Sequence, residues 1–321
     1  MIEFEKLFRN KPLLKMKCMI NSTALTDGGL ETDMIFNHGI NLPYFAAFPL
    51  VEDPGHQDTL KKYYREYLEI AKKNKTAFIL ESPTWRANPD WGHLLGYDKK
   101  QLEAINHQAI QQLGCLKKEY ENSIDAIYIS GQIGPRGDGY QIAKEMNSWE
   151  AMDYHYLQVK AFKKAKVNMV TAITMTYSDE ALGIVRAAQK EDIPVVISFT
   201  VELDGNLPSG ESLEYAITRL DDITNCYPSY YMINCAHPTH FINRLISNGS
   251  WKLRIKGVRV NASCKCHAEL DEAPELDTGN RKELGLWHKI LKCYLPNLMV
   301  YGGCCGTDAS HVTAICDNIL N

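Results

Sequence analysis

What most limits the fold of this chain is a repeated pattern. Eight times, a short run of apolar and β-branched residues ends in a polar or glycine residue, and a longer segment of helical spacing follows. The runs are "TALTDGG" (23–29), "AFILES" (77–82), "AIYISG" (126–131), "MVTAITM" (169–175), "PVVISFTVE" (194–202), "YYMINC" (230–235), "IKGVRVNAS" (255–263) and "LMVYGGCC" (298–305). Most are nearly continuous in apolar character, as strands covered on both faces must be. In the segment 56–74, Leu60, Tyr63, Tyr64, Tyr67, Leu68 and Ala71 share one helical face. Segments 98–122 and 147–166 behave alike, Ser178 is placed to cap a helix over 178–192, and Ser209-Gly210-Glu211 opens another. A last helix runs from about Asp308 to Leu320.

Strand then helix, eight times, predicts an α/β fold of the (β/α)8 TIM barrel type. The competitor is a doubly wound open sheet, which carries a glycine-rich dinucleotide turn after its first strand; "DGGLETD" is not GxGxxG. No linker or low-complexity tract divides the 321 residues, so a single domain over 1–321 is expected, with residues 1–20 as an N-terminal extension.

The formal net charge of −4 offers no basic excess for nucleic acid or an anionic membrane. No run approaches the roughly 20 apolar residues of a membrane helix, and the N-terminus lacks the apolar core of a signal peptide. The ten cysteines show no small-domain disulfide spacing. Reduced thiols in a cytoplasmic enzyme are the expectation. Partners are then small molecules, with self-association left open.

In such a barrel, chemistry gathers at the C-terminal strand ends. Those ends here carry Asp27, Gly28 and Gly29, then Glu81 with Trp85 close behind, Glu202, Cys235, Asn261, and Cys304 with Cys305. Three thiols would therefore meet at the barrel mouth. Three thiolates with an open fourth position form a catalytic zinc arrangement. Adjacent cysteines bond each other only under strain, but flanking glycines let both turn toward one ion. The alternative is that cysteines fill the core as small hydrophobes.

"DGGLET", "INCAHP" and "YGGCCGTD" resemble the homocysteine S-methyltransferase family, over nearly the whole chain from about residue 23. That family includes betaine-dependent and S-methylmethionine-dependent enzymes and the homocysteine module of cobalamin-dependent methionine synthase. The resemblance implies a (β/α)8 barrel whose Zn2+ is held by Cys235, Cys304 and Cys305. It implies transfer of a methyl group from a small cationic donor to the thiolate of L-homocysteine, giving methionine. The length leaves no room for a cobalamin or folate module, so a free small-molecule donor is expected, and the habit of the family places S-methylmethionine ahead of S-adenosylmethionine and betaine. Asp27 would receive the amino group of homocysteine, and the amides around Gly28 and Gly29 its carboxylate.

One departure stands out. Many members carry a glutamate at the end of strand four, where this chain has Ile173. Glu81 and Glu202 are the candidate replacements, each alternatively a structural acid paired with a base such as Arg86. Trp85, Trp91, Tyr44 and Phe45 are candidates for an aromatic cage around a cationic donor, Trp85 foremost. His237 stands beside Cys235 as a support for the metal or a packing residue. Cys264, Cys266 and His267 form a C-x-C-H stretch that could be a second metal site or a redox pair. Other readings remain: a non-catalytic zinc-binding or redox-sensing barrel, a hydrolase using zinc-bound water, or a methyltransferase with another small-thiol acceptor.

Overall fold

A computed structural model describes residues 20–320, apart from 143, 247, 272 and 274. Residues 1–19 of the expected N-terminal extension lie outside the described residues. The strands are β1 (Ala24–Leu25), β2 (Ala77–Glu81), β3 (Ile127–Ile133), β4 (Met169–Met175), β5 (Val195–Phe199), β6 (Tyr230–Asn234), β7 (Ile255–Val260) and β8 (Val300–Gly303). All pair in parallel in sequence order, and β8 closes on β1 through Val300 opposite Ala24. After each strand comes one long helix: α1 (Gln57–Asn74), α2 (Lys99–Tyr120), α3 (Ser148–Lys164), α4 (Ser178–Lys190), α5 (Leu213–Thr224), α6 (Pro238–Leu245), α7 (Arg281–Tyr294) and α8 (Ala309–Ile319). This is the expected (β/α)8 barrel in one domain.

Two boundaries differ from the sequence reading. β1 is only two residues long, so Asp27-Gly28-Gly29 belong to the loop beyond it. Ser178 is the first residue of α4 instead of its cap; Tyr177 holds that place, and the Ser178 amide and hydroxyl are both taken by Glu211.

Side chains alternate between the two faces of each strand, and this sorts the core. Leu25, Phe78, Leu80, Val170, Ile197, Tyr231, Val258 and Tyr301 pack in the large cluster under the helices. Ala24, Ala77, Ile79, Met169, Val196, Tyr230, Met232 and Val300 fill the barrel interior in a second cluster. Continuing the inward alternation one step toward the C-terminal ends gives Glu81, Ser130, Thr171, Ser198, Asn234 and Arg259, all buried. The barrel thus has an apolar plug below and a polar layer above it. That layer is internally bonded: Ser130 and Thr171 hydroxyls lie 2.7 Å apart, and Ser198 donates to Asn234 Oδ1 at 2.6 Å. It forms the floor of the site.

Candidate active site

Above the polar layer lies a cavity of about 410 Å3, inside the range of small-molecule sites. Asp27, Gly28, Gly29, Glu81, Trp85, Cys235, Cys304 and Cys305 all line it. The ligand atoms of Cys235, Cys304 and Cys305 lie within 4.8 Å of one another, and among the described residues no other His, Cys, Asp or Glu joins the group. In this structure Cys235 and Cys304 are joined as a disulfide, their Cα atoms 5.4 Å apart, and Cys305 stands outside that bond. Three soft sulfur donors with no fourth protein ligand suit zinc or a similarly thiophilic ion. The residues present therefore fit a metal once the pair is reduced.

Local backbone explains how the sulfurs converge. Cys235 follows β6 at φ 52°, a left-handed conformation costly for a residue with a Cβ. Several contacts hold it. Its amide donates to the Arg259 carbonyl at 3.0 Å, and its carbonyl accepts from His267 Nε2 at 2.7 Å. Beside it, Asn234 ties β6 to the end of β4 by accepting from the Thr174 amide at 2.9 Å. On the other side, the β8 loop is stitched to the β1 loop. Gly303 N donates to Asp27 O and Gly29 N to Thr307 O, both at 3.0 Å. A Cβ on Gly29 would stand 2.5 Å from the Cys304 carbonyl oxygen, and one on Gly28 2.6 Å from the Tyr67 hydroxyl. The two glycines are what let the loops pack this closely.

Asp27 is committed within the protein. Arg259 Nη2 lies 2.6 Å from its Oδ1, and the Tyr63 hydroxyl donates to its Oδ2 at 3.0 Å. Burial pushes the carboxyl above its usual range, while the Arg259 charge and the Tyr63 hydrogen bond pull against that. Glu81 is pushed up to about 7 by burial, opposed by the charge of Arg259 and hydrogen bonds from Ser130 and Thr171. Glu31, also on the cavity wall, is pushed up to about 7, again chiefly by burial.

Other expected residues sit differently. Glu202 does not line the cavity; its Oε1 lies 3.2 Å from His267 Nδ1. Glu81 is not paired with Arg86, which instead donates to Gly137 O at 2.8 Å and meets Asp138 at 3.3 Å. The Arg86 guanidinium stacks on both Trp85 (4.1 Å) and Trp91 (3.8 Å), so one face of each ring is already covered by a cation. Tyr44 is exposed and packs on Trp91, whereas Phe45 lines the cavity. His237 is the N-cap of α6, accepting from the Thr239 amide, and burial depresses it to about 4. Cys264 is exposed and Cys266 half-buried, and neither joins a metal-holding group among the described residues. Ile173 lines the cavity beside a register shift in β4.

Sequence reasoning missed Arg259, Tyr63 and Tyr140. The alternation of "IKGVRV" holds the signal for Arg259, which takes an inward position. Tyr140 stacks on His267 with ring centroids 3.8 Å apart and brings its hydroxyl to 3.6 Å from Cys305 Sγ.

The sequence profile of the homocysteine S-methyltransferase family matches residues 24–319. The chain belongs to this family. Membership makes it a methyltransferase. It is 26% identical over 258 residues to Homocysteine S-methyltransferase 1 of Brassica oleracea var. italica, covering 74% of this chain and 75% of that protein. Against Homocysteine S-methyltransferase 1 of Arabidopsis thaliana it is 24% identical over 326 aligned positions, covering 91% and 92%. Among solved structures, the homocysteine methyltransferase MmuM from Escherichia coli superposes in its metallated form with a TM-score of 0.69 at 17% identity, over 95% of this chain and 99% of that one. Its oxidized form gives 0.70 at 18% identity, over the same shares. These superpositions establish the shared fold. Among the described residues no helix is long and apolar enough to cross a membrane.

Proposed function

We propose that this methyltransferase transfers a methyl group from a small cationic donor to the thiolate of L-homocysteine, giving methionine, with zinc held by Cys235, Cys304 and Cys305. The observation that carries the reading is the sulfur cluster itself, three cysteines within 4.8 Å on the wall of an acid-lined cavity. Zinc bound there supplies a Lewis acid that keeps an acceptor thiol ionised at neutral pH. The reaction needs the thiols reduced, which a cytoplasmic location provides. MmuM has been solved in a metallated and an oxidized form, and this chain is expected to take both states as well.

The chain's own residues do the rest. Asp27, Gly28, Gly29 and Glu81 border the place where the amino-acid end of the acceptor lies, beside the cluster. Glu202 has no part in this, since it faces His267. The acceptor sulfur attacks the donor methyl carbon in line. A sulfur–carbon bond forms, and the carbon–sulfur or carbon–nitrogen bond of the donor breaks with its electron pair going to the leaving group, which departs neutral. The cavity wall carries carboxyls Asp27, Glu31, Glu81, Asp138, Glu275 and Asp277 against the guanidiniums of Arg86 and Arg259. Asp27 and Asp138 are paired with those guanidiniums and Asp277 with Lys265, so the remaining carboxyls are the ones left to meet a positively charged donor. With Arg86 covering a face of Trp85, donor charge is met by carboxylates more than by an indole cage. Enclosure of the reactants contributes by orientation and exclusion of water.

The test is methionine formation from L-homocysteine by reduced, zinc-supplemented protein with S-methylmethionine, S-adenosylmethionine and betaine in turn. Turnover with one of them, lost in Cys305→Ser, supports the reading. No methionine from any of the three contradicts it.

A further inference from the structure

Among the described residues the cavity wall carries two cations, Arg259 and Arg86. Arg259, on β7, is bonded to Asp27 at 2.6 Å. Arg86 stands in the loop after β2, and β2 lies across the eight-strand ring from β6, which leads into Cys235. The wall on the Arg86 side is built by the loops after β2 and β3, with Trp85, Gln132, Gly139 and Tyr140. In an in-line displacement the leaving group lies on the side of the methyl carbon remote from the acceptor sulfur. That direction is toward this wall.

The Arg86 guanidinium is fixed in place. The residue is 5% exposed, and its Cζ lies 4.1 Å from the ring centre of Trp85 and 3.8 Å from that of Trp91. Of its five N–H donors, one on Nη1 reaches Gly137 O at 2.8 Å and one on Nη2 reaches Asp138 Oδ2 at 3.3 Å. Nε has no hydrogen-bond partner. Asp138 is itself 45% exposed, so this buried cation shares its carboxylate with solvent. Burial lowers the Arg86 pKa more than Asp138 raises it, so the charge is incompletely compensated where it stands. A buried cation in that condition calls for an anion, and the planar guanidinium fork matches a carboxylate.

We propose that Arg86 binds a carboxylate of the methyl donor, which makes the donor a zwitterion: a sulfonium or quaternary ammonium centre whose leaving group carries a carboxylate. The assignment rests on the methyl-transfer reading above and deepens it by fixing the donor's class. The onium centre is left to the wall carboxyls, Glu31 among them. As the methyl group moves, the donor's carbon–sulfur or carbon–nitrogen bond breaks with its electron pair going to the leaving group, and the onium charge disappears. Repulsion between that charge and Arg86 disappears with it, while the carboxylate pairing stays. Arg86 therefore holds the donor more tightly in the transition state than in the ground state.

The experiment is calorimetric binding of betaine and of S-methylmethionine, each compared with its own primary amide. It uses the reduced, zinc-supplemented chain with no thiol acceptor present, so no methyl group moves. In at least one pair the carboxylate form should bind about 10–100-fold more tightly than the amide. Arg86→Gln should bring acid and amide within about twofold of each other and leave the amide's affinity as in the parent. Asp138→Asn removes the competing carboxylate; it should tighten binding of the acid about threefold or more and leave the amide unchanged, a gain that misfolding cannot imitate. Equal affinities within both pairs, no binding of any of the four compounds, a preference that survives in Arg86→Gln, or a loss for acid and amide alike in Asp138→Asn would overturn the assignment. Selective binding of the acid without methionine formation from homocysteine would remove the proposed reaction and keep the assignment; methionine formed equally well from acid and amide would do the reverse.

Discussion

His267 Nε2 lies 2.7 Å from the carbonyl oxygen of Cys235, a residue held at φ 52°. The other ring nitrogen faces Glu202 at 3.2 Å, and Tyr140 stacks on the imidazole. His267 begins a short helix, His267–Asp271, in the segment after β7. It therefore links the loop that follows β7 to the backbone conformation that presents the β6 sulfur. It belongs to the stretch whose C-x-C-H spacing suggested a second metal site, and here it bonds the backbone of Cys235 instead.

Replacing His267 with Ala should loosen Cys235 without unfolding the barrel. Outer partners of metal ligands typically contribute about 10–100-fold in affinity, and a loss of that size is expected here. Competition with a chelator reads it, with circular dichroism unchanged. An unaltered affinity would show that the left-handed turn needs no such support.

The Gly29→Ala variant tests the seam between the β1 and β8 loops. The added carbon would meet the Cys304 carbonyl oxygen at 2.5 Å and the Thr32 hydroxyl at the same distance. Overpacking of this kind costs about 1–3 kcal/mol. A lower denaturation midpoint together with lost metal is expected, because the carbonyl that moves belongs to a ligand residue.

A pH dependence follows from Glu81 and Glu31. Both carboxyls sit near 7 in the folded chain against a usual value of 4.5, so the folded state binds more protons than the unfolded state between these limits. Their contribution to stability is therefore lost as pH rises from about 4.5 through about 7. Thermal midpoints of the metal-free, reduced parent and Glu81→Gln, compared from pH 4.5 to 8, should diverge in favour of the variant as pH rises. A constant difference across the range would mean that Glu81 titrates alike in the folded and unfolded chain.

The fold was readable because buried parallel strands need continuous apolar runs, and β4 over Met169–Met175 coincides with the run read from sequence. The convergence of Cys235 with Cys304 and Cys305 was readable because barrel topology brings strand ends together irrespective of sequence distance. Pairings across the barrel were not. Arg259 meets Asp27 from 232 positions away, and nothing local marks that contact. Glu202 looked like a site acid because it ends an apolar run, yet β5 stops at Phe199 and the chain turns away before reaching it. Trp85 and Arg86 are neighbours in sequence, and only the loop's path decides that the guanidinium covers the ring.

The proposed function stands on a thiolate metal centre with a place for one more sulfur. X-ray absorption at the zinc edge, on protein purified under reducing conditions with and without L-homocysteine, tests it most directly. Expected are about one zinc per chain, three protein sulfurs around it, and one added sulfur when homocysteine is present. Reduced protein that takes up no zinc, or a shell unchanged by homocysteine, would contradict it.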